Sequence, residues 1–199
     1  MGLLPPVILI IASGNTEYET LPLLLRDVLN DIGRHVDVRF PPNHRNLDAT
    51  MAARLIKSGY WSIFPRPQTA IVLVDCDARA RLEVAHEMTM ALMPLIADLA
   101  TNGLEVLVAT AKWHLEAWFF GDPPGLREVL GRDLGNVVLT NPDSIENPKR
   151  HLINLLRTVD RLYTARVAGE IARSLSPAII LAASRSFSEF DAAVRIGAR

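Results

Sequence analysis

A chain of 199 residues, 49% of them hydrophobic, suits a single domain with a sizeable core. Its 21 Lys and Arg against 22 Asp and Glu exclude a bulk pull toward nucleic acid or anionic membrane, so a polyanionic partner needs a local patch. The single cysteine, Cys76, excludes an intramolecular disulfide and a cysteine-based zinc site, and its unpaired thiol fits a reducing cytosol.

The N-terminus, Met1 to Pro6, lacks the charged flank of a signal peptide, and the apolar runs fall far short of the roughly 20 residues that span a bilayer. The expectation is a soluble, cytoplasmic protein with no membrane partner. The first such run, Val7 to Ala12, is continuous and rich in Ile, as in a strand of a parallel sheet buried on both faces. It breaks into Ser13-Gly14-Asn15-Thr16-Glu17. Leu21, Leu24, Leu25 and Val28 then follow the i, i+3, i+4, i+7 spacing of a core-facing helix. Its start has two readings: a capping box of Thr16 with Glu19, or a cap at Thr20 with Pro22 in the first turn. In both, Glu17 lies at or just before a helix N-terminus, where the backbone dipole favours its ionised form.

Val36 to Phe40 alternates apolar and charged residues, as an edge strand does. A loop follows through Arg45, and Asp48 is placed to cap a helix through Met51, Leu55 and Ile56 that ends near Gly59. Ala70 to Val74 is a second doubly buried strand, breaking into Asp75-Cys76-Asp77. From Arg79 to Ala100 the chain favours helix, divided at Pro94. Val106 to Ala109 reads as a third buried strand. Beyond residue 110 the pattern turns mostly helical: Glu116 to Phe120, then a short strand at 137–139, then a stripe of Leu152, Leu155, Leu156, Val159 and Leu162. Strands alternating with helix-length connections predict an α/β fold with a mainly parallel central sheet flanked by helices. One domain over 1–199 is expected, with an α/β core at 1–110 and a mostly helical extension at 111–199.

Ligands collect at the carboxyl ends of parallel strands. If the first two buried strands are neighbours, Glu17, Asp75 and Asp77 meet there with no cation in either loop. In an extended segment Asp75 and Asp77 face the same way, with α-carbons about 6.5 to 7 Å apart. Their hard oxygens suit Mg²⁺ or Mn²⁺; the plain alternative is a pair of solvated acids ending a strand. Glu116 is within chain reach of the same cluster. His114 and Glu116 would diverge on a helix, so no zinc site is read there. The Gly14-Asn15-Thr16 turn lacks both phosphate-loop patterns. Trp113, Trp118, Phe119 and Phe120 read as core. Lys149, Arg150, Arg157, Arg161 and Arg166, with Arg79 and Arg81, are either a phosphate-binding flank or a solvated surface.

The motifs Ser-Gly-Asn-Thr-Glu (13–17), Leu-Val-Asp-Cys-Asp (73–77), Leu-Glu-Ala-Trp-Phe-Phe-Gly-Asp (115–122), Asn-Pro-Asp-Ser-Ile-Glu-Asn-Pro-Lys (141–149) and Ser-Phe-Ser-Glu-Phe (186–190), in this order, resemble the bacterial Toprim-like family known as domain of unknown function 4276. Its members resemble the nuclease half of the overcoming-lysogenization-defect proteins, and some act beside an ATPase in anti-phage defence. The resemblance implies a Toprim-like fold and Mg²⁺-dependent cleavage of DNA or RNA phosphodiesters. It assigns metal binding to Glu17, Asp75 and Asp77 and an auxiliary catalytic role to Glu116. Lys149 falls within the fourth motif as a phosphate contact. Ser13 departs from the pattern by standing where the family's first Glu is expected, and His114 stands where relatives often carry an acid. The leading expectation is thus a nuclease with a possible ATPase partner and an oligomeric state left open. A catalytically silent partner or regulator of an ATPase is the rival, and a small-molecule phosphate hydrolase the third reading.

Overall fold

The computed structural model describes residues 7–131 and 141–197. The expected short strand at 137–139 lies outside the described residues. The fold is α/β: among the described residues a four-stranded, wholly parallel sheet is flanked by helices on both faces.

β1 (Val7–Ile11) leads into α1 (Asn15–Leu24) and α2 (Arg26–Ile32), and β2 (His35–Arg39) into α3 (Ala49–Ser62). β3 (Thr69–Asp75) is followed by α4 (Arg81–Leu92), a 3-10 turn at Met93–Ile96 and α5 (Ala97–Ala100), then β4 (Glu105–Ala111). The rest is helical: a 3-10 segment at Leu115–Gly121, α6 (Pro123–Leu130), α7 (Pro148–Arg157), α8 (Ala165–Ser174), α9 (Pro177–Ala183) and α10 (Arg185–Ile196). No helix among the described residues is long and apolar enough to cross a membrane.

The strand order is β2-β1-β3-β4, so the two most apolar strands sit side by side at the centre. Alternation along each strand splits the core in two. Ile8, Ile10, Ala12, Ile71 and Leu73 pack toward α1, α2 and the C-terminal helices. Leu9, Ile11, Ala70 and Val72 pack toward α3 and α4. At Gly59 of α3 an added Cβ would stand 2.6 Å from the Leu9 side chain, so helix and sheet approach closely there because the residue has no side chain.

Several boundaries differ from the sequence reading, each for a local reason. α1 starts at Asn15 behind an extended Gly14, with no side-chain cap, so neither proposed cap operates. Pro22 lies inside α1, where it removes the backbone donor to the Tyr18 carbonyl, and the chain leaves helical geometry at Leu25 before resuming as α2. The third strand was expected to be buried; β4 is the last strand of the sheet among the described residues, and its Val106, Leu107 and Val108 are only half-buried. Leu162 does not continue the α7 stripe but lies exposed beyond the helix end. By contrast, Asp48 caps α3 through a 2.7 Å bond from the Met51 amide, and Pro94 divides the helical stretch after β3.

Candidate active site

The connection after β1 runs to one face of the sheet and the connection after β3 to the other, which leaves a crevice between two adjacent strand ends. Such a switch point is where parallel sheets receive ligands. Glu17, in the first turn of α1, and Asp75, the last residue of β3, flank it. Asp75 follows Ile71 and Leu73 in parity and so faces the α1 side. Glu116 arrives from the 3-10 segment after β4, anchored by the core aromatics Trp118, Phe119 and Phe120. A cavity of about 700 Å³ is lined by Ser13, Glu17, Asp75, Asp77, Glu116 and Lys149, among others. All four acids of the sequence reading therefore border one space, together with the lysine.

Glu17 is 6% and Glu116 3% exposed, an uncommon degree of burial for carboxylates. Burial, then the charges of Glu17 and Glu116, push the Asp75 carboxyl well above its ordinary range. Burial also raises Glu17, against a lowering hydrogen bond from Ser13. That bond joins the pair: the Ser13 hydroxyl lies 2.7 Å from Glu17 Oε1 and 3.3 Å from Asp75 Oδ2. A hydroxyl has one proton to donate, so it satisfies both acids fully only when one of them is itself protonated and donates to the serine oxygen. The pair thus retains a proton at a pH where separate carboxyls would be ionised.

Glu116 is held from the other side. The Tyr163 hydroxyl donates to its Oε1, lies 3.3 Å from Thr16 Oγ1, and has its own ionisation pushed up by burial and by the Glu116 charge. Lys149 Nζ is 3.8 Å from Glu116 Oε1 and 5.5 Å from the centre of the Tyr163 ring, so cation, ring and carboxylate form one unit.

Asp77 does not extend the strand alongside Asp75. Its φ of 49° is left-handed, and its amide bonds to the Trp113 carbonyl at 3.2 Å, a bridge to a second left-handed residue. The same-face expectation fails because the chain turns there. Asp77 stays 69% exposed at the cavity rim with His114 Nε2 3.0 Å from its Oδ1, while His114 Nδ1 is buried with no hydrogen-bond partner among the described residues.

Among the described residues no three His, Cys, Asp or Glu side chains stand close enough to hold a metal ion between them. What the site offers is a pair of hard donors, Glu17 and Asp75, spanned by one hydroxyl. A magnesium ion held by one or two carboxylates and completed by water fits such a pair, and a cation there would relieve the repulsion that raises both acids.

Other residues were missed or were assigned more than they do. Tyr163 and Thr16 join the site although neither belongs to an acidic motif; the tyrosine reaches Glu116 across 47 positions, and nothing in its neighbours marks it. Most of the basic flank is committed elsewhere: Arg81 to Glu189, Arg161 and Arg166 to Glu170, and Arg79 to Glu83 and Glu87. The last two motifs clamp each other. Asp143 accepts from the Ser184 and Ser186 hydroxyls and the Ser186 amide, and Ser186 accepts from the Trp118 indole, all within 3 Å. Comparison of the chain with known protein families, with curated proteins and with solved structures finds no match in any of the three.

Proposed function

We propose that the chain is a Mg²⁺- or Mn²⁺-dependent nuclease of the Toprim type that the sequence resembles. The observation that carries this reading is the convergence of carboxylates from separate segments, buried Glu17 and Glu116 and half-buried Asp75, at the switch point of a parallel sheet. Burying mutually repelling acids costs stability, and strain of that kind concentrates at functional sites. Glu17 and Asp75 would hold the ion and Asp77 reach it from the rim. When bound, the ion supplies charge stabilisation at the phosphate and a more acidic water. Glu116, fixed by Tyr163, orients the inner wall, and Lys149 meets a phosphate oxygen as a point charge. Such a subunit would act in the cytoplasm, as an anti-phage effector beside an ATPase by the same resemblance.

The rival reading, a silent partner of an ATPase, is favoured by one observation: the Ser13 hydroxyl bonds the two acids to each other where the family's pattern has a further acid. The two readings separate in one assay. Purified protein with Mn²⁺ is expected to degrade single-stranded DNA or RNA in preference to simple phosphate esters, and the Asp75→Asn variant to lose roughly a hundredfold or more of that rate. No cleavage by the native protein, or equal cleavage by the variant, refutes the assignment; hydrolysis of simple esters alone makes the chain a small-molecule phosphatase.

A further inference from the structure

The edge of the sheet opposite the acids carries an aromatic patch that the site does not use. α3 ends on Tyr60, Trp61 and Ser62, and the chain then passes through Phe64 and Arg66 to enter β3 at Thr69. The Tyr60 hydroxyl donates to the Asn102 carbonyl at 3.3 Å, just ahead of β4, so the patch sits where β3 and β4 begin, whereas Asp75 sits where β3 ends. Tyr60 is buried, but Trp61 is 57% and Phe64 86% exposed. Large apolar side chains left in water within one short segment mark a place where another molecule docks.

The patch is held together by its own contacts. The Tyr60 and Trp61 rings meet edge to face, 5.1 Å apart at 84°, and the Arg66 guanidinium lies 4.4 Å from the centre of the Trp61 ring and 5.4 Å from that of Tyr60. A stacked guanidinium keeps its N–H fork free for a planar anion, and among the described residues no carboxylate pairs with Arg66. Arg54, about 10 Å earlier on the same face of α3, is likewise exposed and without a carboxylate among the described residues. The neighbouring cations are already balanced: Lys57 pairs with Asp98 at 3.0 Å, and Arg39, which donates to Ser62, pairs with Asp37 at 2.8 Å. A polynucleotide is held by many phosphate contacts, and a surface broken by Asp37 and Asp98 does not supply them. Trp, Tyr and Arg inside a polar rim are instead the composition of protein contact hot spots.

We infer that this patch docks a segment of a partner protein, one that sets an acidic side chain against the Arg66 fork and an apolar side chain against Trp61 and Phe64. Partner and substrate approach from opposite edges of the sheet, so the inference does not depend on the nuclease reading and can fail without it.

The test pans a phage library of random dodecapeptides on the native chain and on Arg66→Glu, a change at an exposed position. Native protein is expected to enrich peptides that carry Asp or Glu next to an apolar residue, and Arg66→Glu to enrich basic peptides in their place. The best acidic peptide, synthesised and labelled, should lose about tenfold in affinity on Trp61→Ala or Arg66→Ala, as truncated hot-spot residues do. Replacing its acid by the amide should cost the same and leave the peptide indifferent to Arg66→Ala. Thermal melts accompany each variant, and where Trp61→Ala melts lower than native the Arg66 variants decide. The same peptides enriched by native protein and Arg66→Glu, or winners without acids, overturn the inference. Labelled oligothymidylate that binds native protein more tightly than the peptide and is lost in Arg66→Ala overturns it in favour of a nucleic-acid surface. A native dimer that Arg66→Glu splits overturns it in favour of a second copy of this chain.

Discussion

Ser13 has one proton and two acids within reach of its hydroxyl, and that imbalance organises the site. Folding raises the Asp75 carboxyl above its ordinary value of 3.8, so the folded state binds this proton more tightly than the unfolded chain does. Stability is then lowest in alkaline solution, increases as the pH falls through the folded value, and gains nothing more from this group below 3.8. Thermal melts of the metal-free protein are expected to show a Tm that climbs from mildly alkaline to mildly acidic solution. Asp75→Asn should raise the alkaline Tm, by roughly 1–2 kcal/mol of stability, and flatten the slope; a variant that melts lower at alkaline pH contradicts the account. Ser13→Glu adds a third carboxylate to the pair. It should lower the metal-free Tm and tighten Mn²⁺ binding, whereas Ser13→Ala should lower the Tm with no gain in affinity; a Ser13→Glu variant that binds no better than native would show that the serine does not limit the site.

Among the elements, the glycine at the contact of α3 with β1 gives the sharpest packing test. Gly59→Ala places a methyl group against Leu9 in a close-packed core and should cost about 1–3 kcal/mol in denaturant melts; a neutral substitution would mean that α3 can move away from the sheet. Asp143→Ala leaves the hydroxyls of Ser184 and Ser186 without their acceptor and should cost about 2–4 kcal/mol while leaving Mn²⁺ binding unchanged. Loss of binding would place the last two motifs in the site rather than in the scaffold. These elements also show what could be read from the chain beforehand. The central strands declared themselves because burial on both faces writes an uninterrupted Ile and Val run. Asp48 was legible because a cap acts over three residues. Glu17, Asp75, Asp77 and Glu116 were legible because each ends or follows a strand. The turn at Asp77 was not, because a left-handed aspartate differs in nothing visible from an extended one. Tyr163 was not, because its partner comes from a distant segment and the contact exists only after the C-terminal helices dock.

At the scale of the whole molecule, the strand order places two loops of opposite exit direction side by side, and the chain lines that crevice with acids rather than apolar residues. The C-terminal helices complete the wall: α7 brings Lys149, and the loop before α8 brings Tyr163. The residues after 110, which the sequence reading describes as a helical extension packed on the core within one domain, thus supply part of the site's wall. The function proposed for this chain depends on Glu17 and Asp75 acting together on one divalent ion. Calorimetric titration of the native protein and of Asp75→Asn with Mn²⁺ measures that directly. The account predicts binding by the native protein with release of the shared proton, seen as a heat that varies with the buffer's ionisation enthalpy, and loss of both binding and proton release in the variant. Absence of binding by the native protein, or undiminished binding by the variant, would contradict it.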